Sequence, residues 1–144
     1  YEIGVRLVGS EMCIRDSALL LLTAVHEGIH ALTWAMFGKD YWKSIRFGVI
    51  WKALTPYCTC LRPAKRGQYI LGAAMPTLVL GIGLTAAAAL TGVYWVFILA
   101  LAMIFGGGGD FAIILKMLLH RQQGRDAVYY DHPYECGVVV FEKD

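Results

Sequence analysis

Ala18-Leu-Leu-Leu-Leu-Thr-Ala-Val-His26-Glu27-Gly-Ile-His30-Ala-Leu-Thr-Trp-Ala-Met-Phe37 is an apolar run that contains two histidines and a glutamate. About 20 such residues suffice for a helix to cross the hydrocarbon core of a bilayer. Ionisable groups at that depth are costly, and they face a partner, a cavity or a metal. The spacing names the partner. His26 and His30 stand four residues apart, so a helix projects both imidazoles from one face, one turn from each other. Two imidazoles so placed can grip one ion, and Glu27 is then positioned to take a proton from a water that the ion polarises. The run predicts metal-dependent hydrolysis inside or at the edge of a membrane.

The rest of the chain extends this reading. Hydrophobic residues make up 58% of its 144 positions and mean hydropathy is +0.54, values outside the soluble norm. The apolar residues come in spans. A second block runs from about Tyr69 to Leu90, and a third from Val93 to Leu119, broken at Gly106-Gly107-Gly108-Gly109-Asp110. The expected fold is mainly α: a multi-pass membrane helical bundle with three transmembrane helices. A net charge of +2 is too small to suggest nucleic acid as a partner. Four cysteines without a regular framework argue against a disulfide-stapled secreted domain. The oligomeric state and the substrate are not legible.

Charge sets an expected topology. The segment from Gly38 to Gln68 holds Lys39, Lys43, Arg46, Lys52, Arg62, Lys65 and Arg66 against a single acid, Asp40. Arg121 and Arg125 follow the third block, while Thr91 and Gly92 leave room only for a tight helical hairpin between blocks two and three. With loop 38–68 and the tail both cytoplasmic, the positive-inside rule is obeyed throughout the cell-membrane topology. His30 then lies seven residues before the end of its block and Asp110 nine before the end of the third, both about 10–14 Å from the same face. Helix packing can join two clusters that share a level, and the glycines permit a close approach or a break.

Asp110 is the expected third metal ligand, being the only acid in blocks two and three. A helix N-cap after the glycine break is its structural alternative. Asp131, His132 and Glu135 compete for the same role, and His120 reads as an interfacial residue at a helix end. Zinc is the default ion for two imidazoles, a carboxylate and an open position. Met75-Pro76 predicts a kink whose freed carbonyl could line the site, or a bend that serves packing. Cys58-Thr59-Cys60 could bind metal or pair with Cys136, and reads better as a pair of reduced cytoplasmic thiols. Ile45, Phe47, Val49 and Trp51 alternate with Ser44, Arg46, Gly48 and Ile50, a strand pattern that predicts a small β element in the cytoplasmic loop. Thr55-Pro56 marks a turn after it, and Gly137–Phe141 is a second short strand.

Residues 1–17 stand apart. Arg6-Leu-Val-Gly-Ser-Glu-Met-Cys-Ile-Arg-Asp-Ser17 resembles the translated end of a transposon-type sequencing-library adapter, and it lacks the layout of a signal peptide. The expected division is a non-native segment at 1–17 and a membrane metallopeptidase-like domain at 18–144, with Cys13 no native thiol and the native N-terminus missing.

The order of several motifs points to one family. His26-Glu-x-x-His30, Leu54-Thr-Pro-Tyr-Cys-Thr-Cys60, Tyr69-Ile-Leu-Gly-Ala-Ala-Met-Pro76, Gly109-Asp110 and Asp131-His-Pro133 with Gly137 together resemble the DUF3267 zincin-type peptidases. The resemblance spans Ala18–Asp144 and implies a small membrane metalloprotease similar to site-2 proteases. It implies His26, His30 and Asp110 as ligands of Zn2+, Glu27 as the catalytic base, and a peptide or membrane-protein substrate. Site-2 proteases carry Asp-Gly where this chain has Gly-Asp. The alternative is a non-catalytic metal-binding membrane protein or assembly factor.

Overall fold

A computed structural model describes residues 2–38, 40–51, 55–120, 127–132 and 137–142. Lys39, Lys52, Arg121, Arg125, Glu135 and Cys136 lie outside the described residues. The architecture is mainly helical with two small antiparallel sheets. Helix α1 (Glu2–Ala35) carries the opening run. It is continuous through residues 2–17, because nothing in that stretch breaks a helix: it contains no proline, and its polar residues are tolerated in one.

A short helix α2 (Tyr41–Ser44) leads into a hairpin of β1 (Ile45–Ile50) and β2 (Thr55–Cys60). The alternating stretch is therefore a strand, but Thr55-Pro56 is not the turn after it. Both residues belong to β2, with Pro56 opposite Val49. Strand geometry explains how. The N–H of Cys60 points away from β1 to a side chain, and Pro56 shares its parity, so the N–H that proline lacks faces away from the ladder.

Strand β3 (Ala64–Lys65) precedes helix α3 (Arg66–Pro76), which passes through a π-helical turn (Thr77–Ile82) into α4 (Gly83–Thr91). Gly92, at φ 69°, closes α4 in the left-handed conformation and lets the chain reverse at once into α5 (Tyr94–Gly106). The chain breaks at Gly107 and resumes as α6 (Gly108–Leu119). Cys13–Ala35 and Arg66–Thr91 are each long and apolar enough to span a membrane, and α5 with α6, bent by 40°, makes a third span if the pair is counted as one. Their outer surfaces expose large apolar side chains, among them Leu20, Leu90 and Phe105, as helices facing hydrocarbon do. The tail adds β4 (Ala127–Asp131), not foreseen from sequence, and β5 (Val138–Glu142), forming a sheet ordered β3-β4-β5.

Two contacts show how the helices alternate in direction. The Arg15 guanidinium lies 3.5 Å over the Trp95 ring, near the start of the Cys13–Ala35 span and of α5. At the other end, Arg66 at the start of α3 donates to the carbonyls of Met117 (2.5 Å) and Leu118 (3.1 Å), whose C-terminal dipole favours a cation. The core sits at this second end. There Ala31 and Trp34 of α1, Cys58 and Cys60 of β2, Tyr69 and Ala73 of α3, Met117 of α6 and Tyr129 of β4 are buried together.

Gly72 governs the α1–α3 approach. A Cβ on this residue would fall within the Trp34 indole, so the two helices meet this closely only where α3 has no side chain. Gly72→Ala should lower stability by about 1–3 kcal/mol through forced displacement of Trp34. Thermal unfolding in detergent reads this, and an unchanged Tm would contradict the packing.

Candidate metal centre

The geometry begins with a missing hydrogen bond. Proline at position 76 has no N–H, so the carbonyl four residues earlier, that of Gly72, loses its helical partner. That carbonyl is 2.9 Å from Nδ1 of His30. A carbonyl only accepts, so Nδ1 carries the proton and donates. The neutral ring then presents Nε2 as a lone pair, the form a metal needs. The freed carbonyl foreseen at Met75-Pro76 thus lines the site and sets its tautomer.

Nε2 of His30 faces Oδ2 of Asp110 at 3.4 Å, and Nε2 of His26 faces the same oxygen at 3.2 Å. The rings of His26 and His30 meet edge to face, with centroids 5.0 Å apart. One ligand atom from each of the three residues lies within 4.8 Å of the other two. Both histidines are buried and Asp110 is partly so. Among the described residues this is the one group of three or more His, Cys, Asp or Glu side chains arranged to hold a metal ion.

Asp110 arrives through the helix break. With Gly107 between α5 and α6, Asp110 falls in the first turn of α6, where the helix dipole favours a carboxylate. It makes no side-chain cap, and its Oδ2 is directed at the histidines instead. Behind His30 an aromatic ladder fixes the ring plane: His30 stacks on Trp34 at 5.4 Å, and Trp34 meets Tyr69 at 5.7 Å.

Glu27 is half-buried on α1 beside the cluster, with the backbone N–H of Cys58 on β2 near its carboxylate. Asp131 does not join the histidines. It is buried in a separate network, accepting from the Tyr69 hydroxyl and, at 2.8 Å, from the Cys60 N–H. Burial pushes its carboxyl above the usual carboxylate range, against the pull of these two donors. The backbone N–H of His132 bonds to Gly137 across the tail hairpin, and His120 caps the end of α6. Burial also pushes the Cys58 thiol up to about 12, helped by the nearby charges of Glu27 and Asp131, and raises Cys60 as well. Both are free, buried thiols.

Two imidazoles and a carboxylate within reach of one another, with a further carboxylate alongside, form a donor set of the kind that can hold a zinc ion. The chain belongs to the DUF3267 family, described as "Putative zincin peptidase", whose sequence profile matches residues 19–124. No curated protein and no solved structure matches the chain.

The donor set fits zinc, and two variants probe separate parts of it. Asp110→Ala should weaken zinc binding by more than the roughly 10–100-fold lost when an outer hydrogen-bonding partner is removed. Pro76→Ala returns an N–H that competes for the Gly72 carbonyl, and it should weaken binding within that 10–100-fold range. Zinc titration against a competing chelator measures both, and unchanged affinity would remove Asp110 from the ligand set or the carbonyl from its supporting role.

Proposed function

We propose that this protein is a zinc-dependent, membrane-embedded endopeptidase that cleaves peptide bonds near the cytoplasmic leaflet. The observation that carries this reading is the convergence of His26, His30 and Asp110, from two separate apolar helical segments, with Glu27 beside them. Zinc, when bound, supplies the Lewis acidity that makes water a nucleophile near neutral pH and polarises a carbonyl.

The chain's own residues supply the rest. His26, His30 and Asp110 would hold the ion, with His30 kept in the binding tautomer by the Gly72 carbonyl. Glu27 removes the proton from the attacking water and passes it to the departing amine as the C–N bond breaks. Its position one residue after His26 keeps it next to the ligands on the same helix. Trp34 and Tyr69, buried behind His30, give that side of the site an apolar backing. The substrate is a peptide or membrane-protein segment in extended form, because an intact helix hides its carbonyl carbons. The basic residues of loop 38–68 support the reading that this end of the helices is cytoplasmic.

A non-catalytic metal protein is the rival. A structural zinc site is closed by four protein ligands, whereas a catalytic one keeps a position open. The three-residue cluster among the described residues favours the open form.

Glu27→Gln should retain stoichiometric zinc and lose about 10²–10⁴-fold in turnover, the usual worth of a general base. Cleavage of transmembrane reporter peptides by the zinc-loaded protein, with zinc content measured in parallel, tests this. A variant as active as the parent would exclude Glu27 as the base.

A further inference from the structure

The buried carboxylate of Asp131 has no part in the metal cluster, yet both its oxygens are engaged. Oδ2 accepts from the Cys60 N–H at 2.8 Å and Oδ1 from the Tyr69 hydroxyl. These bonds join three elements, since Asp131 ends β4, Cys60 ends β2 and Tyr69 lies on α3. Burying a carboxylate is costly unless it is well paired, so this one specifies a position more than it adds stability.

What it specifies is the edge of β2. The N–H of Leu61 turns towards the β1 side, donating to Ser44 at 3.0 Å, whereas that of Cys60 turns away to Asp131. Backbone direction alternates along a strand, so the N–H of Cys58 turns away from β1 as well. That group lies near the Glu27 carboxylate. The same strand edge therefore holds two carboxylates two residues apart, one an anchor and the other the proposed base. Tyr69 also braces Trp34, which stacks on His30, so the anchor shares a rigid wall with the ligands.

We propose that Asp131 is a positioning residue for Glu27: by holding Cys60 it fixes the register of β2, so that the Cys58 N–H keeps the Glu27 carboxylate in place to take its proton. This rests on the peptidase reading for its catalytic consequence, but the structural link from Asp131 to Glu27 can be read without turnover. Glu27 sits on a long helix whose side chain has several rotamers, and one directed N–H selects among them. A base displaced by about 1 Å can cost two orders of magnitude in rate.

The test uses the full zinc-loaded chain in detergent micelles, labelled with ¹⁵N-cysteine so that four amide resonances are seen. Cys58→Ser and Cys60→Ser assign the two resonances by their disappearance. Asp131→Ala should move the Cys60 amide upfield and carry the Cys58 amide with it, while zinc stoichiometry stays at the parent value. In reporter-peptide cleavage kcat should fall about 10- to 100-fold with KM within about twofold. Asp131→Asn keeps an acceptor for Cys60 and should restore most of both signals. Should Asp131→Ala not fold, Tyr69→Phe keeps the ring against Trp34, frees one carboxylate oxygen, and should shift both amides by a smaller amount. Movement of Cys60 alone, in whichever variant folds, would overturn the proposal and leave Asp131 as a tie for the tail. If the parent protein cleaves no peptide, the peptidase reading fails, and the paired amide shift still decides whether Asp131 sets Glu27.

Discussion

The bond from His30 Nδ1 to the Gly72 carbonyl is the interaction on which the rest of the site depends. It exists because Pro76 cannot donate, so a helical carbonyl in an apolar setting is left without its usual partner. In hydrocarbon a free carbonyl is expensive, and so is a histidine. Each satisfies the other. One contact thereby settles a backbone defect in α3, holds α1 against α3 and leaves Nε2 of His30 unprotonated towards His26 and Asp110.

Close approach of the helices makes that bond reachable. Gly72 supplies both the carbonyl and the empty space that Trp34 fills, so a single residue sets the separation of α1 and α3 and the orientation of the ligand. The second irregularity, at Gly107, brings Asp110 in on the first turn of a new helix. Both helical segments around the cluster thus carry a backbone irregularity, a geometry that apolar segments keep only where neighbouring groups satisfy the freed backbone. The two small sheets close the same end, with β2 lying over Glu27 and β4 tying β2 to α3.

Much of this was legible in the residues. The four-residue histidine spacing needs only the helical period, and the freed carbonyl follows from proline's chemistry. The shared depth of His30 and Asp110 came from counting residues at a fixed rise. Lateral adjacency was not countable, because it depends on which small residues let helices touch, and Gly72 reveals that only once Trp34 is seen against it. Thr55-Pro56 looked like a turn because proline usually leaves a ladder. Whether it does depends on which way the missing N–H would have pointed, and that is a property of the pairing register with β1. Strand β4 was missed for a related reason: Ala127–Asp131 is short, and its pairing partner β3 is only two residues long and distant in sequence.

X-ray absorption at the zinc edge of the metal-loaded protein tests the central claim most directly. The account predicts nitrogen and oxygen scatterers at about 2.0–2.1 Å, with the outer-shell signature of two imidazoles and no sulfur near 2.3 Å. A sulfur shell, or fewer than two imidazoles, would contradict a centre built from His26, His30 and Asp110.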